Sequence, residues 1–289
     1  MASKSKSVLV TGCSAGGLGA AIAANIAKTS GAAHHVFATA RNTAKIPEEL
    51  SGLPNVTVLE LDITSAPSVT AAAKAVESSG HGLDVLVNNA GAGYASPIIE
   101  MDIEEAKQTY EINVWGTIRT IQGFGGLLIK SHGRIVNVST VGSVLNMPWI
   151  SPYSSSKAAL NNISESLRLE LSPFGVSVVT ILVGLVETHF HSRDMHFKLR
   201  PDSLYAPIEE TIEVWANGKS KPKGQSAEDF DASIAGDILG QGKGGMVWKG
   251  PNAGSIKWAT SLLPTSLMDS SLSQGQGLEE LAAEVSKNQ

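Results

Sequence analysis

Tyr153 and Lys157 stand four residues apart in the stretch "YSSSK". On a helix that spacing puts a phenol and an ammonium on one face. The cation favours the phenolate and lowers the tyrosine pKa from about 10, which makes the side chain a usable acid and base. Such pairs also arise as exposed helix neighbours, so this one acquires meaning only in company. Shortly upstream, "NVST" ends a strand-like run and offers hydroxyls at Ser139 and Thr140. Asn113 lies in "EINVWG", inside a helical stretch, where asparagine is locally unfavourable because its amide competes with the backbone. It is either a satisfied core amide or the polar part of a site.

The front of the chain holds a second candidate. "VTGCSAGGLG", Val10 to Gly19, satisfies two motifs at once. As G-x-S-x-G, Gly12-Cys13-Ser14-Ala15-Gly16 is the nucleophile elbow of a hydrolase. As a glycine-rich turn after a strand, it is a cradle for a dinucleotide pyrophosphate. Both motifs expect a strand before and a helix after. A hydrolase built on Ser14 needs a later histidine and an acid to orient it. His189, His191 and His196 are formal candidates, but nothing marks a strand-end acid. The serine would also occupy the space of the pyrophosphate, so the cradle is the preferred reading.

The surrounding pattern supplies the elements that must position these groups. Strand-like runs cover 7–11, 35–40, 56–62, 83–91, 133–140, 176–182 and 246–250. Helix-like runs follow 18, cover about 102–130 and 152–172, and begin near 66. Leu18, Ile22 and Ile26 recur every four residues on one face. Short apolar strands alternating with helices predict a doubly wound α/β fold: a Rossmann-type parallel sheet of about seven strands, helices on both faces. Its ligands bind where the strands end. After residue 190 the pattern loosens. An amphipathic helix is expected at 224–241, a mildly apolar segment broken by Pro264 at 255–272, and a loose tail with a short helix. The 289 residues read as one domain, with 189–289 its variable substrate and C-terminal region.

Composition narrows the classes. The net charge is −5 with no long basic run, which argues against a nucleic-acid surface. Cys13 is the single cysteine, so no intrachain disulfide forms; this fits a reducing, cytoplasmic setting. "MASKSKS" lacks the apolar stretch of a secretory signal. No run of about 18 apolar residues is present, so no spanning helix is expected. No metal site is expected either.

Taken together, the T-G-x-x-x-G turn, "LDI", "NNAG", "NVWG", "NVST" and "YSSSK" resemble the short-chain dehydrogenase/reductase family in order and separation, over about residues 6–190. The resemblance implies a carbonyl/alcohol oxidoreductase; the alternative on the same fold is a non-catalytic cofactor-binding protein, against which the presence of Tyr153, Lys157 and Asn113 argues. Gly12, Ser14, Gly16, Gly17, Leu18 and Gly19 would then form the pyrophosphate turn. Asp62 and Ile63 would border the adenine. Asn89, Ala90 and Gly91 would shape the floor beneath the ribose, and Gly184, Val186 and Thr188 would meet the nicotinamide. Tyr153 would exchange the proton, Lys157 would hold the ribose, and Asn113 would hold a water of the relay.

Three departures stand out. The glycine turn is one residue longer than usual, so Gly16 and Gly17 compete for one role. Counting from both sides puts the substrate-orienting hydroxyl on Thr140, with Ser139 the alternative. The usual P-G after the sixth strand is Val183-Gly184. After the second strand, "ATARN" lacks the acid an NAD enzyme carries there, and Arg41, with Asn42, suits a 2′-phosphate. NADP(H) is therefore expected.

Within the family the chain most resembles fungal-type 1-acyl dihydroxyacetone phosphate reductases, with features of 17β-hydroxysteroid and retinol dehydrogenases. The implied substrate is a bulky apolar ketone or its alcohol, facing Tyr94, Val144, Leu145, Met147, Trp149 and Phe190. Arg193, Lys198 and Arg200 would either bind a substrate phosphate or form a solvated loop. A homodimer or homotetramer is expected. So is a mainly soluble protein, the alternative being peripheral contact with endoplasmic reticulum or lipid droplet through 256–268.

Overall fold

The computed structural model describes residues 5–29, 34–188, 197–219, 224–240, 242 and 244–287. Seven strands form one parallel sheet: β1 (Lys6–Thr11), β2 (His34–Ala40), β3 (Val56–Glu60), β4 (Val85–Asn88), β5 (Arg134–Thr140), β6 (Ser177–Val183) and β7 (Gly244–Lys249). Their order is β3-β2-β1-β4-β5-β6-β7. Val8 of β1 stands beside Val36 on one side and Val85 on the other. The chain therefore winds outward from β1 in one direction, returns, and winds outward again. The crevice at that reversal is where such sheets take ligands.

Because successive strand residues face opposite ways, each strand feeds two cores. Val8, Val10, Val36, Val87 and Ile181 pack on one face against Ile22 and Ile26 of α1 (Leu18–Thr29). The same core takes Phe230 and Ile234, which belong to an amphipathic helix late in the chain. Leu9, Phe37, Leu86 and Ile135 point to the other face, with Val69, Val76, Phe124 and Leu128. Strands buried on both sides read as continuous apolar runs, which is what the sequence carries.

The remaining helices are α2 (Glu48–Ser51), α3 (Ala66–Ser78), α4 (Ile103–Tyr110), α5 (Thr117–Ser131), α6 (Ser151–Leu171), α7 (Glu209–Ala216), α8 (Ala227–Leu239), α9 (Ala253–Leu262), α10 (Thr265–Ser273) and α11 (Leu278–Lys287). Side chains close several of them. Ser65 accepts from the Ser68 amide ahead of α3, and Asp102 accepts from the Glu104 amide ahead of α4.

Three expectations change. The single helix over 102–130 is interrupted by a π-helical turn, Glu111–Gly116, which carries Asn113. The strand over 83–91 stops at Asn88, leaving Asn89–Gly91 free to form a loop. The C-terminal tail is not loose: α9, α10 and α11 follow one another, and Leu278 and Leu281 pack on Ile208 and Ile212. Among the described residues no helix is long and apolar enough to cross a membrane.

A buried polar ladder runs across the sheet and fixes α6. Thr120 of α5 donates to Asn88 Oδ1 at 2.6 Å, Asn88 Nδ2 donates to Asn137 Oδ1 at 2.9 Å, and Asn137 Nδ2 donates to Ser164 Oγ at 2.8 Å. Asn137 is fully buried, so removing its amide leaves partners on two elements unpaired. Asn137→Ala is expected to lower unfolding free energy by about 2–3 kcal/mol in urea titration. A loss within experimental error would show that the ladder does not hold α6.

Candidate active site

The turn after β1 is built for close approach. Gly12 has φ +76° and Gly16 has φ +69°, a region L side chains avoid. A Cβ on Gly19 would meet Asn89 Nδ2 and stand 2.6 Å from the Gly12 carbonyl oxygen, so only glycine lets α1 start there. The turn is moored to the neighbouring strand loop: Cys13 N donates to Thr39 O at 2.8 Å and Ala15 N to Lys45 O at 2.9 Å. The Cys13 thiol is buried and donates to Val10 O at 3.3 Å; burial pushes its pKa up to about 12, which leaves it unreactive. A cradle shaped this way, opening at the amino end of α1, fits a diphosphate. The two competing glycines part here. Gly16 supplies the positive φ at the tip, and Gly17 lies on the wall of the cleft.

That wall encloses about 1200 Å³ over the carboxyl ends of the strands. Gly12, Ser14, Gly17 and Leu18 meet Arg41 and Asn42 at one end, then Asp62, Ile63, Asn89, Ala90 and Gly91. Ser139, Thr140, Tyr153 and Lys157 follow, with Gly184, Val186 and Thr188 beyond. Among the described residues no histidine lines the cleft.

Asn113 lies behind the wall, fully buried. Its Oδ1 accepts from Ala92 N at 2.9 Å, and its Nδ2 donates to Ala92 O and Ser156 Oγ, both at 2.9 Å. The amide thus clasps the loop after β4 to the turn of α6 next to Lys157.

The acid–base pair differs from the expectation in one respect. The Tyr153 phenol shares a hydrogen bond with the Thr140 hydroxyl, and burial pushes its pKa up to about 12. Lys157 is buried as well. Its Nζ donates to Val138 O at 2.9 Å, and burial depresses its own pKa to about 8. Desolvation is the leading cause at both groups and disfavours each charged form. At neutral pH Tyr153 therefore keeps its proton. Thr140, not Ser139, is the hydroxyl beside it. Ser139 Oγ is buried and finds no hydrogen-bond partner among the described residues.

The substrate end is only partly as expected. Leu145 and Met147 line the cleft. Val144 is 39% exposed and off the wall. Tyr94 is held outside it, its hydroxyl accepting from Asp102 N at 2.9 Å. Trp149 does not face a substrate either: it is buried against Ile208 and Ile212 and stacks edge-on with Tyr205, because its indole fills the joint between the loop before α6 and the C-terminal helices. Phe190, Arg193 and the three late histidines lie outside the described residues. Arg200 pairs with Asp202 at 3.1 Å away from the wall, and Lys198 is also off it, so neither reads a substrate phosphate here. Sequence reasoning missed Lys45 beside Arg41, Trp215 on α7, and the segment from Ser271 to Gln276. The glycines flanking Gln276 in "QGQG" were the available sign of a tight turn.

The comparisons agree with this geometry. The family model for short chain dehydrogenases matches residues 6–197. The short-chain dehydrogenase PC-15 of Penicillium crustosum is 41% identical over 260 residues, 90% of this chain and 93% of that protein. The NADPH-dependent 1-acyldihydroxyacetone phosphate reductase of Schizosaccharomyces pombe is 33% identical over 249 residues, 84% of this chain and 82% of that protein. A crystal structure of a short chain dehydrogenase from Burkholderia cenocepacia in complex with NADP superposes with a TM-score of 0.72 at 24% identity, covering 93% of this chain and 98% of that one.

Two outcomes are expected. Thr140→Ala should lower kcat by about a hundredfold while Ser139→Ala costs far less; a large loss only at Ser139 would reverse the assignment. For Lys157, the folded pKa of about 8 lies below the ordinary 10.5. Its contribution to stability is therefore present above about 10.5 and is lost as pH falls through about 8. Lys157→Met should raise the unfolding free energy of the cofactor-free protein at pH 7 by on the order of 2 kcal/mol while abolishing turnover. The gain should shrink toward pH 10, as a thermal melt series would register.

Proposed function

This chain belongs to the short chain dehydrogenase family, and on that footing we propose that it is an NADPH-dependent reductase of bulky apolar ketones. The carrying observation is that the Thr140–Tyr153 pair and buried Lys157 share one cleft wall with a positive-φ glycine cradle. Bound NADPH would supply the hydride. Tyr153, holding its proton at neutral pH, delivers it to the carbonyl oxygen as charge develops there. Thr140 orients that oxygen. Lys157 holds the nicotinamide ribose, Asp62 and Ile63 border the adenine, and Asn89 to Gly91 form the floor. Gly184, Val186 and Thr188 flank the nicotinamide.

Preference for NADPH is supported at the end of β2. Arg41, with Asn42 and Lys45, stands on the wall where a carboxylate would exclude a 2′-phosphate. Arg41 and Lys45 carry no salt bridge among the described residues. The fission-yeast relative is itself named NADPH-dependent. The apolar residues Leu145, Met147, Ile150, Trp215 and Ile256 favour a lipid, steroid, terpenoid or polyketide ketone over a small polar one. An acyl-dihydroxyacetone phosphate stands first among them by similarity. Assembly as a homodimer or homotetramer is supported by Trp115, 52% exposed in the π-helical turn ahead of α5.

NADPH oxidation against acyl-dihydroxyacetone phosphate, steroid and polyketide ketones tests the reading. Turnover of at least one is expected, and an unchanged NADPH fluorescence spectrum on addition of the protein would defeat it. Arg41→Ala should raise the KM for NADPH by about tenfold and leave that for NADH within about twofold. An unchanged NADPH KM would remove Arg41 from the cofactor site.

A further inference from the structure

We propose that Gln276 reads a hydrogen-bond donor on the substrate, so that the preferred ketone carries a hydroxyl or N–H at a distance from its reacting carbonyl. This rests on the ketone-reductase reading above and adds the substrate feature which that reading lacks.

Gln276 occupies the turn between α10 and α11, a wall of the cleft remote in sequence from Tyr153. Its backbone is fully engaged. Gly275 and Gly277 on either side have φ +70° and +78°. Its amide donates to Ser273 O at 3.2 Å, and its carbonyl accepts from the Trp149 indole at 3.2 Å. Nearby, Asn146 Nδ2 donates to Asp269 Oδ1 at 2.9 Å and ties the loop before α6 to α10. The turn is thus anchored from two directions.

Its side chain is the unexplained part. Gln276 is 6% exposed, and its Oε1 finds no hydrogen-bond partner among the described residues. A buried amide carbonyl left unpaired is destabilising, whereas an apolar side chain of the same shape is tolerated. The same cleft is lined by the apolar residues Leu145, Met147, Ile150, Trp215 and Leu272, a setting in which methionine or leucine at 276 is tolerated. A glutamine there destabilises the ligand-free fold and provides nothing to the turn. The terminal amide torsion is soft, so the acceptor can swing into the cleft. An amide oxygen carries no charge, so the partner proposed for it is a neutral donor. An uncharged acceptor in an apolar wall selects a hydroxyl or N–H and rejects the analogue lacking it.

The test uses matched ketones with NADPH: 17-ketosteroids with and without a 3-hydroxyl, and decalones with and without a ring hydroxyl. For at least one pair the natural protein should favour the hydroxylated member by about tenfold in kcat/KM. Gln276→Met should bring that ratio to within about twofold and raise Tm, since it replaces an unpaired buried amide. A ratio near one in the natural protein, a ratio unmoved by the variant, or a lowered Tm would each overturn the proposal, the last by showing that the amide packs as part of the fold. Reduction of none of these ketones would sink the substrate class itself and this proposal with it. That outcome differs from reduction of both members without discrimination, which defeats only the role of Gln276.

Discussion

Burying the Lys157 ammonium with one backbone carbonyl as its hydrogen-bond acceptor is the constraint around which this molecule is arranged. A charge so placed loses hydration that Val138 O restores only in part. The fold tolerates it because two large apolar cores, one on each face of the sheet, supply the compensating stability. It must also prevent α6 from shifting, since any movement would let the ammonium escape to water. The ladder Thr120–Asn88–Asn137–Ser164 pins α6 to the sheet at its middle. The Asn113 clasp pins it one residue before Lys157. Gly91 completes the arrangement, for a Cβ there would stand 3.1 Å from Asn113 Oδ1 and 3.5 Å from Lys157 Nζ.

Much of this was legible in the residues. Seven apolar runs became seven strands, because strands covered on both faces need no polar alternation. The glycine turn was readable, since its demands are local: a positive φ and a bare Cα. The choice of Thr140 over Ser139 came from counting, and it agrees with the hydrogen bond to Tyr153. Neighbours on a strand point to opposite faces, so one place in the count changes which hydroxyl meets the phenol.

What was hidden depends on burial and long-range packing. The phenol's raised pKa reflects desolvation by residues distant in sequence, whereas the spacing of Tyr153 and Lys157 advertises only their attraction. Trp149 had the type of a substrate contact but takes part in a joint whose other half lies more than fifty residues away. The lining from Ser271 to Gln276 carries no chemistry-bearing motif. It reaches the cleft because α11 docks on Ile208 and Ile212 and draws the turn inward. The first two-thirds of the chain thus hold the reactive groups, and the last third shapes what can be presented to them.

The π-helical turn at Glu111–Gly116 has a bearing on how such a chain can change over generations. A π turn accommodates an additional residue within one helical circuit. Ala106 and Thr109 before it, and Phe124 and Leu128 after it, all face inward across that surplus. Excising one residue there would swivel everything downstream by about 100° and send Phe124 toward solvent. It would also unhook Asn113 from Ala92 and Ser156. Reactive end and greasy interior are thus keyed to the same tally of residues, and a lineage that drifted in length at this point would forfeit both together.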